Sequence, residues 1–354
     1  MKRILITGAL GQLGSEIAET LRTDYGADEV VCTDIRPQPA SSAGSAGSGG
    51  AAAGPSDGVE SAGGAADPTG ATSSGPFYQL DARDGVHLTE LIRSHRIDTV
   101  YHLAALLSAT AEARPQEAWD LNMNGLMTVL EVARAEGCAV FTPSSIGSFG
   151  PSTPKDWTPQ DTLQRPTSMY GITKVAGELL CDYYFHKYGV DARGLRYPGL
   201  ISNRTLPGGG TTDYAVDIFY EAVRHGRYTS FLKGDTYLDM MYMPDAVHAA
   251  ISLMDADSGS LRHRNAFNVT AMSFCPEDLA AYIRRYLPAF EIDYNVDPVR
   301  QAIANSWPNN LEDYAARVEW GWEPRYDLDR MTRDMLSTLS QRLEDATYVW
   351  IDSE

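Results

Sequence analysis

Tyr170-Gly-Ile-Thr-Lys174 sets a phenol and an ammonium four residues apart, a spacing that puts both on one face of a helix. A cation so placed favours the phenolate, lowers the phenol's pKa and makes a base for a substrate hydroxyl. The same spacing recurs in Tyr183 and Lys187, so spacing alone does not assign the role.

A second stretch points to a nucleotide. An apolar run over residues 3–7 leads into Gly8-Ala-Leu-Gly11-Gln-Leu-Gly14 and then a helical pattern through Ile17, Ala18 and Leu21. In a strand, glycine turn and helix of this kind, the first glycine permits the tight turn. The second lets backbone approach a pyrophosphate, and the third packs helix on strand, with the phosphates at the helix N-terminus. A second strand, Glu29-Val-Val-Cys-Thr33, ends in Asp34, an acid placed to bind adenosine ribose hydroxyls, which favours NAD over NADP. Arg36, two residues on, keeps NADP as the alternative.

The elements that must hold these residues follow in order. Strands are expected at 77–81, 98–105 and 139–142, alternating with helices at about 85–95 and 115–137 and the helix that bears Tyr170, capped by Thr167 or Ser168. This alternation predicts an α/β fold: a doubly wound parallel Rossmann sheet over residues 1–200, then a smaller C-terminal α/β substrate lobe over 201–354. About 236–256 are expected to return to the Rossmann sheet. In such sheets ligands sit outside the carboxyl ends of the strands. Gly8, Asp34, Asp81, Ala105 and Ser145 fall at those ends, with Asp81 placed for the adenine amine and the small Ala104 and Ala105 for close cofactor approach. Only Tyr170 begins its helix on that side, whereas Tyr183 lies more than three turns further along it. Residues 38–76 change character, to Gly, Ala, Ser and Pro with no Lys or Arg, and read as a flexible inserted loop.

Composition narrows the partners. With 47 acidic against 29 basic residues the net charge is -18, which disfavours nucleic acid and anionic membrane surfaces. Cys32, Cys138, Cys181 and Cys275 have no metal-ligand or disulfide spacing and read as core thiols, so no metal is expected. No window reaches the ~20 apolar residues of a membrane span, and the expected location is the cytoplasm.

With the three glycines, Asp34, Asp81, Ser144-Ser145 and Tyr170-xxx-Lys174 together, the chain resembles the extended short-chain dehydrogenase/reductase superfamily over nearly all of its length except the insert. The resemblance implies that Ser145 hydrogen-bonds the reacting oxygen, that Lys174 also holds the nicotinamide ribose, and that cofactor contacts extend to Gln12, Leu13, Leu103, Asn122, Tyr197 and Pro198. Residues 195–202, with Tyr197-Pro198-Gly199, and 207–220, with Gly-Gly-Gly-Thr211-Thr212-Asp-Tyr, look like the short-chain, metal-independent L-threonine 3-dehydrogenases, as does Ser306-Trp307-Pro308. That resemblance implies NAD-dependent oxidation of L-threonine to 2-amino-3-oxobutanoate, with Ser108, Ser144, Thr211, Thr212 and Trp307 near the substrate. It further implies a homodimer paired through helices near 115–137 and 169–188, where Leu179, Leu180 and Tyr184 supply apolar positions. A nucleotide-sugar epimerase or dehydratase, and a non-catalytic NAD sensor, are the alternatives.

Overall fold

The computed structural model describes residues 2–38, 75–204 and 210–351, with side chains to 343. Most of the expected insert, residues 39–74, and part of the glycine run, Pro207, Gly208 and Gly209, lie outside the described residues.

The first half alternates as the apolar pattern requires. It runs β1 (Ile4–Thr7), α1 (Gln12–Tyr25), β2 (Val30–Asp34), β3 (Phe77–Gln79), α2 (Gly85–His95), β4 (Thr99–His102), α3 (Ser108–Ala113) and α4 (Pro115–Trp119), then α5 (Gly125–Glu136), β5 (Ala139–Ser145), α6 (Met169–Tyr188) and β6 (Ala192–Tyr197). The second half adds β7 (Gly199–Ile201), α7 (Tyr214–His225), β8 (Arg227–Ser230), β9 (Leu238–Tyr242), α8 (Met243–Asp255), β10 (Phe267–Asn268) and β11 (Met272–Phe274). It ends with α9 (Pro276–Tyr286), β12 (Glu291–Tyr294), α10 (Pro298–Ala304), α11 (Tyr314–Trp320) and α12 (Leu328–Ile351).

The main sheet has seven strands in the order β3-β2-β1-β4-β5-β6-β10, every pair parallel. Strands β1, β2, β4 and β6 are buried along their whole length, which is why they read as unbroken apolar runs rather than as an alternation. The chain reverses direction between β1 and β4, and a crevice opens at such a switch point. Of the segment expected to return to this sheet, α8 packs on α1 and β6, but β9 pairs with β7 and β11 in a separate three-stranded sheet. The strand actually added is β10, two residues that pair with Leu195 and Arg196. A third small sheet joins β8 to β12.

Helix ends carry their own signals. Asp84 caps α2 by accepting from Val86 N and His87 N, and Ser168, one of the two expected caps, caps α6 by accepting from Gly171 N at 3.1 Å. The helix expected over 115–137 is broken into α4 and α5 by a π-helical turn at Asp120–Asn124. All four cysteines are buried and, among the described residues, none forms a disulfide, and no described helix is long and apolar enough to cross a membrane.

Candidate active site

The glycine turn after β1 is shaped by close approach. Gly8 has φ +71°, and a Cβ there would stand 2.7 Å from Ala104 N and 2.9 Å from the Leu103 carbonyl carbon, so the end of β4 passes directly under the turn. A Cβ on Gly14 would come within 2.3 Å of Gly8 O. The turn therefore closes on itself, and α1 starts at Gln12, followed by the half-buried Leu13, with no side chain bonded over its first N–H groups and no acid in its first turn. An uncovered helix N-terminus beside bare backbone is the surface a pyrophosphate needs. At the end of β2, Asp34 is buried, accepts Leu10 N at 3.1 Å, and is gripped by Arg36. Asp81 is covered in the same manner by Arg83, whose hydrogen bonds hold its carboxyl below the usual carboxylate range. This cradle fits a dinucleotide.

The catalytic candidates meet where β5 gives way to α6. Ser145 ends β5, and a short 3-10 turn over 146–148 folds the chain back so that the Ser145 Oγ accepts Gly147 N at 3.1 Å. A Cβ on Gly147 would stand 3.1 Å from the Tyr170 Cδ1 and 3.5 Å from the Ser145 Oγ, and one on Gly171 would stand 2.2 Å from Gly147 O. The turn thus lies flat on the first turn of α6 and holds Ser145 and Tyr170 on either side of one glycine. Lys174 donates to Pro143 O at 2.7 Å, with its Nζ 5.4 Å from the Tyr170 ring centroid. Asn122, in the π turn, bonds both Leu106 N and Leu106 O and donates to the Thr173 Oγ1, tying the loop after β4 to α6. The π turn supplies the inward-facing Asn. Gly147→Ala is expected to push the Tyr170 ring aside and reduce turnover about tenfold or more, since misplacements of this order carry large rate costs, while leaving nucleotide affinity unchanged. Steady-state kinetics beside AMP titration would check it.

Behind Lys174 lies a cavity of about 30 Å³ lined by His102, Ala105, Asn122, Ser144 and Glu178. His102 is buried, pairs through Nδ1 with the Thr7 hydroxyl at 2.9 Å, and is pushed down to about 3 by burial, with the Lys174 charge adding to the shift. Its folded pKa lies below the ordinary histidine value of about 6.5, so in acid the unfolded chain takes up a proton that the folded chain does not. Stability is expected to be fully present above pH about 6.5 and to fall through the window down to about 3. Urea titrations across that window should give a flatter dependence for His102→Asn.

The other expected residues fall as follows. Ser144 is buried and gives its hydroxyl to Glu178, and the Tyr197 hydroxyl donates to Ala246 O at 2.7 Å beside the buried Pro198. Ser108 opens α3, which is anchored to α6 because Met169 N donates to Glu112. Thr211 is buried, and the Thr212 methyl would lie 2.6 Å from a Cβ on Gly199, so the loop before α7 packs on β7. Trp307 is 8% exposed inside the core of the second lobe, because the turn closing α10 directs it inward. At the second Tyr/Lys copy, the Lys187 Nζ bonds the Tyr183 hydroxyl directly and lowers its pKa, but the pair sits exposed in the last turns of α6, far along the helix from β5. Of the apolar residues expected on a dimer face, only Leu179 is exposed. Leu180 packs against the core of its own chain, and Tyr184 is buried with its hydroxyl on Glu131. Gly147, His102, Glu178 and Arg196 were not legible as site residues. The only local signal was Gly147's position two residues past Ser145.

Residues 4–269 match the NAD dependent epimerase/dehydratase family. The chain belongs to that family. An uncharacterized epimerase/dehydratase from Staphylococcus saprophyticus is 54% identical over 96% of this chain and 97% of its own length. Among solved structures, the L-threonine dehydrogenase from Clostridium difficile is 51% identical, covering 97% of this chain and 98% of that one, with a TM-score of 0.87. A holo-form L-threonine dehydrogenase from Cupriavidus necator is 46% identical over 95% and 99%, with a TM-score of 0.84. The fold is therefore that of an extended short-chain dehydrogenase/reductase, and NAD is the cofactor. Gly8, Gly11, Gln12 and Leu13 would hold its pyrophosphate, Asp34 its adenosine ribose, and Ala104 and Ala105 would lie beneath it.

Proposed function

We propose that this chain oxidises L-threonine at its C3 hydroxyl to 2-amino-3-oxobutanoate. The observation that carries the reading is the meeting of Ser145, Gly147 and Tyr170 at the carboxyl end of β5, in a chain half identical to an L-threonine dehydrogenase. Loss of hydrogen from a secondary alcohol separates into a hydride and a proton, and NAD, when bound, supplies the hydride acceptor. The protein's share is the proton. Tyr170 takes it from the hydroxyl, Ser145 orients that hydroxyl, and Lys174, its ammonium anchored on Pro143 O, stabilises the phenolate through its field and holds the nicotinamide ribose. Thr211, Thr212 and Ser108 are proposed to border the amino acid. Ser144 and Trp307 act from behind the pocket, because the hydroxyl of the first is spent on Glu178 and the ring of the second is in the core. The exposed Ile172, Leu179 and Tyr183 on α6, with Met127 on α5, are proposed to seat a second copy, which light scattering would register.

Spectrophotometric NADH formation with a panel of L-threonine, allo-threonine, serine and UDP-glucose tests the activity. Net NADH from L-threonine is expected. Conversion of UDP-glucose with no net NADH would transfer the protein to the epimerases, and NAD binding without any turnover would leave it a sensor.

A further inference from the structure

Of the chain's five lysines, three have a settled place. Lys2 pairs with Asp255, Lys174 donates to Pro143 O, and Lys187 bonds the Tyr183 hydroxyl. The other two, Lys155 and Lys233, line one cavity of about 240 Å³ between the loop after β5 and the second lobe, and Asp235 is the acid that lines it with them. Among the described residues, none of these three side chains is paired with an opposite charge, although the Lys155 ammonium donates to Asn305 O. In a chain of net charge -18 a lysine has many carboxylates to choose from, so two without one at a single opening concentrate positive potential there.

The frame around these charges is built from buried polar groups. Gln301 and Thr236, which both line the cavity, are 6% and 8% exposed. The Gln301 Oε1 accepts Lys233 N at 2.9 Å, and its amide nitrogen donates to the Thr236 Oγ1 at 3.0 Å and to the Asn305 Oδ1 at 2.8 Å. One buried amide therefore ties the turn over 233–236 to α10. On the other wall, Asn309 N donates to Lys155 O at 2.9 Å. The backbone that carries the three charges is thus fixed before anything binds, which lowers the ordering cost of binding.

A simple anion drawn to the two ammonium groups meets the Asp235 carboxylate, and a simple cation drawn to Asp235 meets the two ammonium groups. A molecule that carries both signs close together satisfies each. The volume, below the roughly 300–1,000 Å³ of pockets for drug-sized ligands, suits a small one. We propose that this cavity is a binding site for a free α-amino acid, with the carboxylate on Lys155 and Lys233 and the ammonium on Asp235. It shares no lining residue with the cavity behind Lys174. Asn305 and Asn309 lie on either side of the turn that directs Trp307 into the core, so an occupant rests against that turn.

Saturation-transfer NMR titration of the full chain with L-alanine, N-acetyl-L-alanine and L-alaninamide tests this, because the second lacks the ammonium and the third the carboxylate. The native chain is expected to bind L-alanine more tightly than either derivative. Lys233→Ala should weaken L-alanine and N-acetyl-L-alanine about tenfold, while L-alaninamide binds as well or better. Asp235→Asn should weaken L-alanine and L-alaninamide by a similar factor and leave N-acetyl-L-alanine as tight or tighter. Both side chains are exposed at the rim, so both variants should fold. The proposal fails if L-alanine does not bind the native chain, or binds it and both variants alike. It fails also if inorganic phosphate binds more tightly than L-alanine and Asp235→Asn strengthens it, since the cavity is then a plain anion site. None of the probes has a C3 hydroxyl to oxidise and no arm reads turnover, so the outcome is independent of the threonine reading.

Discussion

Tyr170→Phe is expected to lose about 10²- to 10⁴-fold in turnover, the span a positioned general base contributes, with nucleotide affinity retained. The phenol ring is held by contacts that do not involve its hydroxyl. The first turn of α6 lies on the 146–148 turn, and a Cβ on Gly147 would already touch the ring. Phe fills the same space, so the ring, Ser145 and the turn stay in place and only the proton acceptor is lost. The nucleotide cradle is built from β1, α1, β2 and the end of β4, none of which rests on that hydroxyl. Kinetics with L-threonine beside AMP titration should show kcat falling and nucleotide affinity unchanged. Turnover within a few-fold of the native chain would remove Tyr170 as the base. Tyr183→Phe is the internal control, because it deletes the hydroxyl that does contact a lysine yet should leave turnover intact.

That control shows what the sequence could and could not convey. The i,i+4 spacing predicts a phenol–ammonium contact, and the direct contact occurs at the second copy, on the surface, where Lys187 also lies against the Tyr188 ring. At the first copy Lys174 reaches the carbonyl of Pro143 instead, because the end of β5 lies within its range. Position at the strand ends, legible from the alternation of elements, separates the copies better than spacing does. The glycine cradle, Asp34 and the parallel strands were legible for the same reason: each is a local requirement of backbone conformation or complete burial. What was hidden is either too short or too distant in sequence. The two-residue β10 carries no period, so the seventh strand of the main sheet is not legible, while α8, from the stretch expected to return, packs on β6. The inward turn of Asn122 depends on a π turn that no residue type marks. Tyr184 and Leu180 read as surface apolar positions, but α5 and α6 pack on each other and cover them.

The least legible part of the site is expected to give the largest stability effect. Arg196 on β6 and Glu178 on α6 pair at 2.8 Å with side chains 8% and 5% exposed. Eighteen residues separate them, and no local pattern announces the contact. Glu178 also accepts from Gln164 and Ser144, while Arg196 donates to Gln160 O at 2.7 Å and to the Asn268 Oδ1, with Phe149 against its guanidinium. The pair therefore ties β5, β6, β10 and α6 together directly behind Ser145. Arg196→Leu strands a buried carboxylate without its cation, and should cost about 3–5 kcal/mol of unfolding free energy, read by urea denaturation. Most of that cost comes from the orphaned charge rather than from the lost attraction. Adding Glu178→Gln to Arg196→Leu should accordingly recover part of the stability even though a second native side chain is lost. If the double variant is less stable than the single one, the bond geometry rather than charge compensation holds this layer together. Glu178 lies one turn beyond Lys174 on the same face of α6, and Ser144 adjoins Ser145. Turnover of the folded Arg196→Leu fraction should therefore fall as well, because the carboxylate that seats β5 against α6 has lost its main partner.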